Sequence, residues 1–123
     1  MRVFAVTDFQ RFRRKERIKD EDLCEAIERA ERGLVDADLG GGLIKQRIAR
    51  SGQGRSSGYR SIIAYRQGDR AVFLFGFAKS RRANISQADQ KDLADYGACL
   101  LTLDDTGVGA LIADGTMFEI NTP

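Results

Sequence analysis

At 123 residues the chain can build one hydrophobic core and is too short for two. Its 42% hydrophobic and 31% charged content is that of a folded globular protein, and no apolar run approaches a membrane span. Net charge is only +2, but histidine is absent, which excludes Ser-His and Cys-His catalysis and every histidine metal site.

Any acid–base chemistry must therefore come from Asp, Glu, Lys, Tyr or Cys, with Arg supplying charge. Cys24 and Cys99 fall within apolar helical patterns, which predicts buried reduced thiols; two distant cysteines are too few ligands for a metal. The N-terminus lacks a signal-peptide core, so a cytoplasmic location and a single domain over 1–123 are expected.

Arg2 to Val6 is a short β-prone run. Thr7 and Gln10 fit a capping box, opening a helix to about Lys15 or Arg17 with Phe9 and Phe12 on one side. Arg11, Arg13, Arg14, Lys15, Arg17 and Lys19 make its wet face basic, either a solvated charge run or a second surface for phosphates, with Arg13 and Arg14 the candidate contacts. Asp20 is expected to cap a second helix, whose Leu23, Ala26, Ile27, Ala30 and Leu34 make an apolar stripe and whose end falls near Gly33. Together the two helices predict an αα-hairpin across one face of a sheet.

Gly40-Gly41-Gly42 lacks the Gly-Lys-Ser/Thr ending of a phosphate loop, so a flexible entry to the sheet is expected. From Leu43 to Arg50 the chain alternates, placing Lys45 and Arg47 on one face and Ile44 and Ile48 on the other. A glycine-rich hairpin loop with Arg55 at its tip leads to a strand at Tyr59–Arg66, and a turn leads to another at Ala71–Lys79. Phe73, Phe75 and Phe77 on that strand suit core packing better than base stacking, because both faces are apolar. Ser86 caps a helix to about Leu103, with Leu93, Tyr96, Leu100, Leu101 and Leu103 as its buried stripe. A short helix restarts at Asp104, Gly115 ends it, and Thr116 to Ile120 can add an edge strand.

Charge is segregated along this order. From Ala37 to Ser86 there are ten Lys and Arg against Asp38 and Asp69, about +8, whereas from Gln87 onward Lys91 stands alone against seven acids. A basic middle of this kind points to a polyanion, most often nucleic acid, and the acidic tail is expected to face away from it.

The order helix, helix, three antiparallel strands, helix, with Lys45-x-Arg47 on the first long strand, Gly58-Tyr59-Arg60 opening the second and a basic cluster after the third, resembles the RelE/ParE superfamily of bacterial toxins. IKQRIARSGQGRSSGYRSIIAYR, FLFGFAKSRRANIS and LLTLDDTGVGALIADGTMFEI are most similar to the RelE branch labelled HigB-type. The resemblance implies an α+β, RelE-like fold: an N-terminal helical hairpin on a small, mainly antiparallel sheet of three to five strands, with C-terminal helices.

It also implies a toxin that cuts mRNA in the ribosomal A site by 2′-hydroxyl attack on the adjacent phosphate, without metal or cofactor. Its partners would be mRNA, rRNA and a cognate antitoxin, commonly a helix-turn-helix DNA-binding protein. Carried over by position, Lys45, Arg47, Arg60, Lys79 and Arg82 match the catalytic set, with Arg50, Arg55 and Arg81 as further RNA contacts. Ser86 stands where many members carry an aromatic or histidine that aids proton transfer, so the general acid is unassigned. Arginine's planar fork suits the developing phosphorane, and like charge crowding a lysine favours its neutral, proton-accepting form, which makes Lys45 the candidate base. The alternatives on this fold are a non-enzymatic, ParE-like gyrase inhibitor and a degenerate toxin that keeps only antitoxin and RNA binding.

Overall fold

The computed structural model describes residues 1–49, 58–78 and 85–122. Among them run β1 (Arg2–Val6), α1 (Thr7–Lys15), α2 (Asp20–Glu31), β2 (Ala37–Gly40), β3 (Leu43–Ile48), β4 (Tyr59–Arg66), β5 (Arg70–Ala78), α3 (Gln87–Leu101), α4 (Asp105–Ala113) and β6 (Met117–Glu119). The strands make one six-stranded sheet in the order β2-β3-β4-β5-β1-β6. All neighbours are antiparallel except β1, which lies parallel to β5. This is the expected α+β, RelE-like architecture with one strand beyond the expected three to five.

The extra strand is β2, and the glycine triplet makes it. Gly41 and Gly42 have φ of +61° and +82°, the left-handed pair that a tight two-residue hairpin turn requires. What the sequence suggested as a flexible entry is a hairpin joining β2 to β3.

Register sorts the side chains into two layers. Leu43, Lys45 and Arg47 share a face with Arg60, Ile62 and Ala64; Ile44, Gln46 and Ile48 share the other with Tyr59, Ser61 and Ile63. The helical hairpin covers the second face, as expected. Phe9 packs 4.9 Å from Phe73 and Phe12 meets Tyr59 edge-on at 5.6 Å, while Leu23, Cys24, Ala26, Ile27 and Ala30 bury the inner side of α2. Phe73 and Phe77 are core residues and Phe75 is half-buried, in line with packing as their main role.

The first face is covered only in part, by α3. The helix comes close because Gly97 faces the sheet: a Cβ there would lie 2.9 Å from the Ala64 Cβ and 3.3 Å from Leu74. That contact also rotates the stripe away from the expected one. Leu100 and Leu101 are buried, but Tyr96 is 39% exposed and Cys99 is exposed, contrary to the expectation of two buried thiols; only Cys24 is buried.

Helix ends explain further differences. α1 follows β1 without a loop, so Val6 occupies the cap position and the Thr7 hydroxyl donates instead to the carbonyls of Gly115 and Thr116 at the end of α4. Asp20 is the first residue of α2 rather than its cap; Asp22 accepts the Lys19 N–H at 3.1 Å. α2 stops at Glu31, with Gly33 at φ +82° and backbone bonds from Gly33 to Ala30 and from Leu34 to Arg29. This Schellman ending turns Leu34 out of the stripe, to 56% exposure. The caps at Ser86 and Asp104 are as expected, each accepting an N–H three residues on, although α3 stops at Leu101, short of Leu103. No helix among the described residues is long and apolar enough to cross a membrane.

Two glycines of the C-terminal helices should respond oppositely to alanine. Gly97→Ala should lose about 1–3 kcal/mol through overpacking. Gly109→Ala, with nothing within 4 Å of the new methyl group, should gain up to about 1 kcal/mol from helix propensity. Urea midpoints read both. Tyr65 donates its hydroxyl to the Glu31 carboxylate, tying β4 to α2; burial, and then that carboxylate, push its pKa upward. The folded value exceeds the unfolded one, so this stability is held below about pH 10 and declines as pH rises further. Wild type should therefore lose more stability than Tyr65→Phe between pH 9 and 11 (a range of about two units around that unfolded value), measured by denaturant titration.

Candidate nucleic-acid interface

The half of the first sheet face left open by α3 carries the cations. Arg47 stands directly opposite Arg60 across β3 and β4, and Lys45, two residues along, is diagonal to Arg60 and opposite Ile62. The Arg47 N–H donates to Asp36 Oδ2 at 2.6 Å and its carbonyl accepts from Arg29. Both backbone groups thus point away from β4, which makes Arg47–Arg60 a non-hydrogen-bonded pair, the closer of the two antiparallel spacings. Like charges in that position are destabilising, and a ligand of opposite sign relieves them.

The three cations differ in their partners. Arg47 has Asp36, whose carboxylate lies 3.9 Å from its Nε. Among the described residues neither Lys45 nor Arg60 has a carboxylate partner, and Arg60 Nη1 is buried without any hydrogen bond. A buried guanidinium nitrogen with an unused N–H is costly unless something else accepts from it. No carboxylate from the acidic tail pairs with these three among the described residues; Glu119 and Asp105 lie instead on Arg2.

Asp36 is held in place by a residue that sequence reasoning passed over. Gln46 is fully buried on the second face, where its amide donates to Ala26 O at 2.9 Å and Leu34 O at 3.0 Å and accepts from Asp36 N at 3.0 Å. One side chain therefore pins the α2–β2 connection to β3. The signal was a polar residue between Ile44 and Ile48 on an otherwise apolar strand face.

The remaining candidates divide into those placed elsewhere and those outside the described residues. Arg13 and Arg14 are on α1, beneath the opposite face of the sheet. Arg13 is largely enclosed, bonded to Asp20 at 2.5 Å and to Ile18 O at 3.2 Å, whereas Arg14 is exposed. Arg66 and Arg70 contribute to the basic count but sit at the far end of their strands, about 20 Å from Arg60 at the usual rise per residue. Arg66 pairs with Asp69, and Arg70 donates to Leu100 O. Arg50, Arg55, Lys79, Arg81 and Arg82 lie outside the described residues. The acidic tail departs from expectation, since Asp89 and Asp92 of α3 line a cavity against Phe75 on the cationic side of the sheet.

Neutralising the counter-charge tests whether Arg47 is available to a polyanion. Asp36→Asn keeps an acceptor for the Arg47 N–H but frees the guanidinium. Single-stranded RNA should then bind more tightly, with a salt dependence steeper by up to about 0.7 in log–log slope. Fluorescence anisotropy across a salt series measures it; an unchanged slope would mean that Arg47 does not reach the backbone.

A model described as the RelE toxin of the RelE/RelB toxin–antitoxin system matches residues 1–120. No curated protein gave a match. The chain belongs to the RelE toxin family, and so is the toxin of a toxin–antitoxin pair with a cognate antitoxin as its partner.

Proposed function

We propose that this toxin is a metal-independent endoribonuclease that cuts mRNA in the ribosomal A site and so stops translation. The observation that carries the reading is Arg60: a guanidinium with a buried Nη1 that has no hydrogen bond and, among the described residues, no carboxylate partner, with Arg47 directly opposite. That is a site prepared for a doubly charged phosphorane.

In the proposed reaction the ribose 2′-oxygen attacks the neighbouring phosphorus and the bond from phosphorus to the 5′-oxygen breaks. The products are a 2′,3′-cyclic phosphate and a 5′-hydroxyl. Lys45 is the proposed acceptor of the 2′-hydroxyl proton, and the departing 5′-oxygen takes its proton from water, no side chain being assigned as the general acid. Arg60 bonds the non-bridging oxygens, with Arg47 beside it, and Lys79 and Arg82 complete the catalytic set. Arg50, Arg55 and Arg81 serve the RNA backbone; Arg14, exposed on the other side of the sheet, could reach only a more distant stretch of it, and Arg13 is engaged with Asp20. Binding on the ribosome supplies alignment of the 2′-oxygen with the scissile bond, a large part of such a rate. The antitoxin, proposed to be a helix-turn-helix protein, would cover the same cationic face, and the complex would act in the cytoplasm.

Transcript 5′ ends mapped after induced expression should show codon-phased cuts. Arg60→Ala should reduce them on the order of 100-fold or more, with Arg60→Lys recovering part of the loss. Undiminished cutting by Arg60→Ala would overturn the assignment. DNA damage without cuts would favour gyrase inhibition, and the absence of both a toxin that only binds.

A further inference from the structure

Among the described residues β2 pairs with β3 only as far as Lys45, and past that point the edge of β3 meets α2. A cavity of about 180 Å3 opens there. Arg47, Ile48 and Ala49 line it from the strand side, and Glu25, Arg29 and Arg32 from the helix side. Three guanidinium groups thus border one small space, and they are not equally engaged. Arg29 is largely enclosed, paired with Glu25 at 2.6 Å and bonded to the Arg47 carbonyl, so it acts as a strut between helix and strand. Arg47 has Asp36 at 3.9 Å. Arg32, the residue that ends α2, is exposed and has no carboxylate partner among the described residues.

Against Glu25 and Asp36, the three arginines leave one positive charge over, and it falls on Arg32. The chain beyond Ala49 brings no acid before Tyr59. An arginine fork that no carboxylate occupies matches the oxygens of a phosphate. Arg47 joins this cavity to the site already described, because it stands opposite Arg60 on one side and lines the cavity on the other. Neighbouring strands lie about 4.8 Å apart, so a backbone held at Arg60 has one strand to cross before it meets Arg32. No aromatic ring of the described residues lines the cavity, which suits it to the RNA backbone rather than to a base.

We infer that the cavity between the end of β3 and the last turn of α2 seats the phosphate next to the scissile one, with Arg32 as its binding residue and Arg29 as the strut behind it. The inference rests on reading the Arg47–Arg60 face as the place where RNA is held, and it deepens that reading by giving the strand a direction. The RNA crosses the edge of the sheet over β3 instead of following β4 toward Arg66.

The test uses single-stranded RNA carrying 2′-O-methyl groups, which keeps every phosphate and cannot be cut by its own 2′-oxygen. Fluorescence anisotropy across a salt series reads the binding. Arg32→Gln should weaken it about twofold to fivefold. The log–log salt slope should fall by about 0.7, the worth of one phosphate on a single strand. Arg66→Gln, an equal loss of charge at the far end of β4, should leave the slope unchanged. Both positions are exposed, and thermal melting checks that the variants fold as wild type does. Used as competitors, a dinucleotide with one phosphate should not distinguish Arg32→Gln from wild type, whereas a trinucleotide with two should. An unchanged slope in Arg32→Gln, an equal fall in Arg66→Gln, or a dinucleotide that loses as much as the trinucleotide overturns the subsite and leaves the nuclease intact. RNA that binds as expected but is never cut in cells defeats the nuclease and not the subsite. No salt-dependent binding by wild type defeats both.

Discussion

The antiparallel register of β3 on β4 is the constraint on which the rest depends. It sets Arg47 against Arg60 and, by the two-residue period of a strand, sends Lys45 to the same face while Gln46, Ile44 and Ile48 go to the core. A slip of β3 by one residue would bury Lys45 and Arg47 and expose Ile44, Gln46 and Ile48. The Gly41–Gly42 turn holds one end of β3 in register. Gln46 holds the middle, with three hydrogen bonds satisfied in the interior.

That register has a cost, and the fold carries it locally. Two guanidinium groups in a close pair repel, and β2 pairs only with the first half of β3, leaving backbone groups of Arg47 on an open edge. Asp36 and Arg29 fill that edge with side-chain bonds. This blocks edge-to-edge pairing of the kind that exposed strands invite. Asp36 also screens Arg47 but not Arg60 or Lys45, so among the described residues the charge left uncompensated is shared by one cation on β4 and one on β3. Stability is drawn from the opposite face, where Phe9, Phe12, Phe73 and Tyr59 pack under the helical hairpin.

α3 decides how much of the cationic face stays open. Gly97 brings it down on Ala64 and Leu74, closing the end of the face nearest Leu43, and the first turns of the helix then border the remainder with acid. The face is therefore not uniformly positive. Among the described residues it passes from arginine on β3 and β4, through phenylalanine on β5, to carboxylate on α3.

The sequence by itself determined the elements whose signals are local. The stripe of α2, the alternation through Lys45 and Arg47, the Ser86 and Asp104 caps and the family likeness all follow from neighbours within a few residues. So did the shared face of the three cations, because strand period alone dictates it. Only the tertiary structure decided which charges are cancelled and which are brought together. Asp36 lies outside the basic segment as counted from Ala37, yet it sits on Arg47. Arg13, one of a uniform basic run, is enclosed by Asp20. Asp89 and Asp92, part of an acidic tail expected to face away, border the cationic side instead. Cys99 and Tyr96 turned outward because a single glycine chose the contact line of α3. Electrostatic pairing and helix rotation depend on distances between residues far apart in the chain, and no local pattern encodes those.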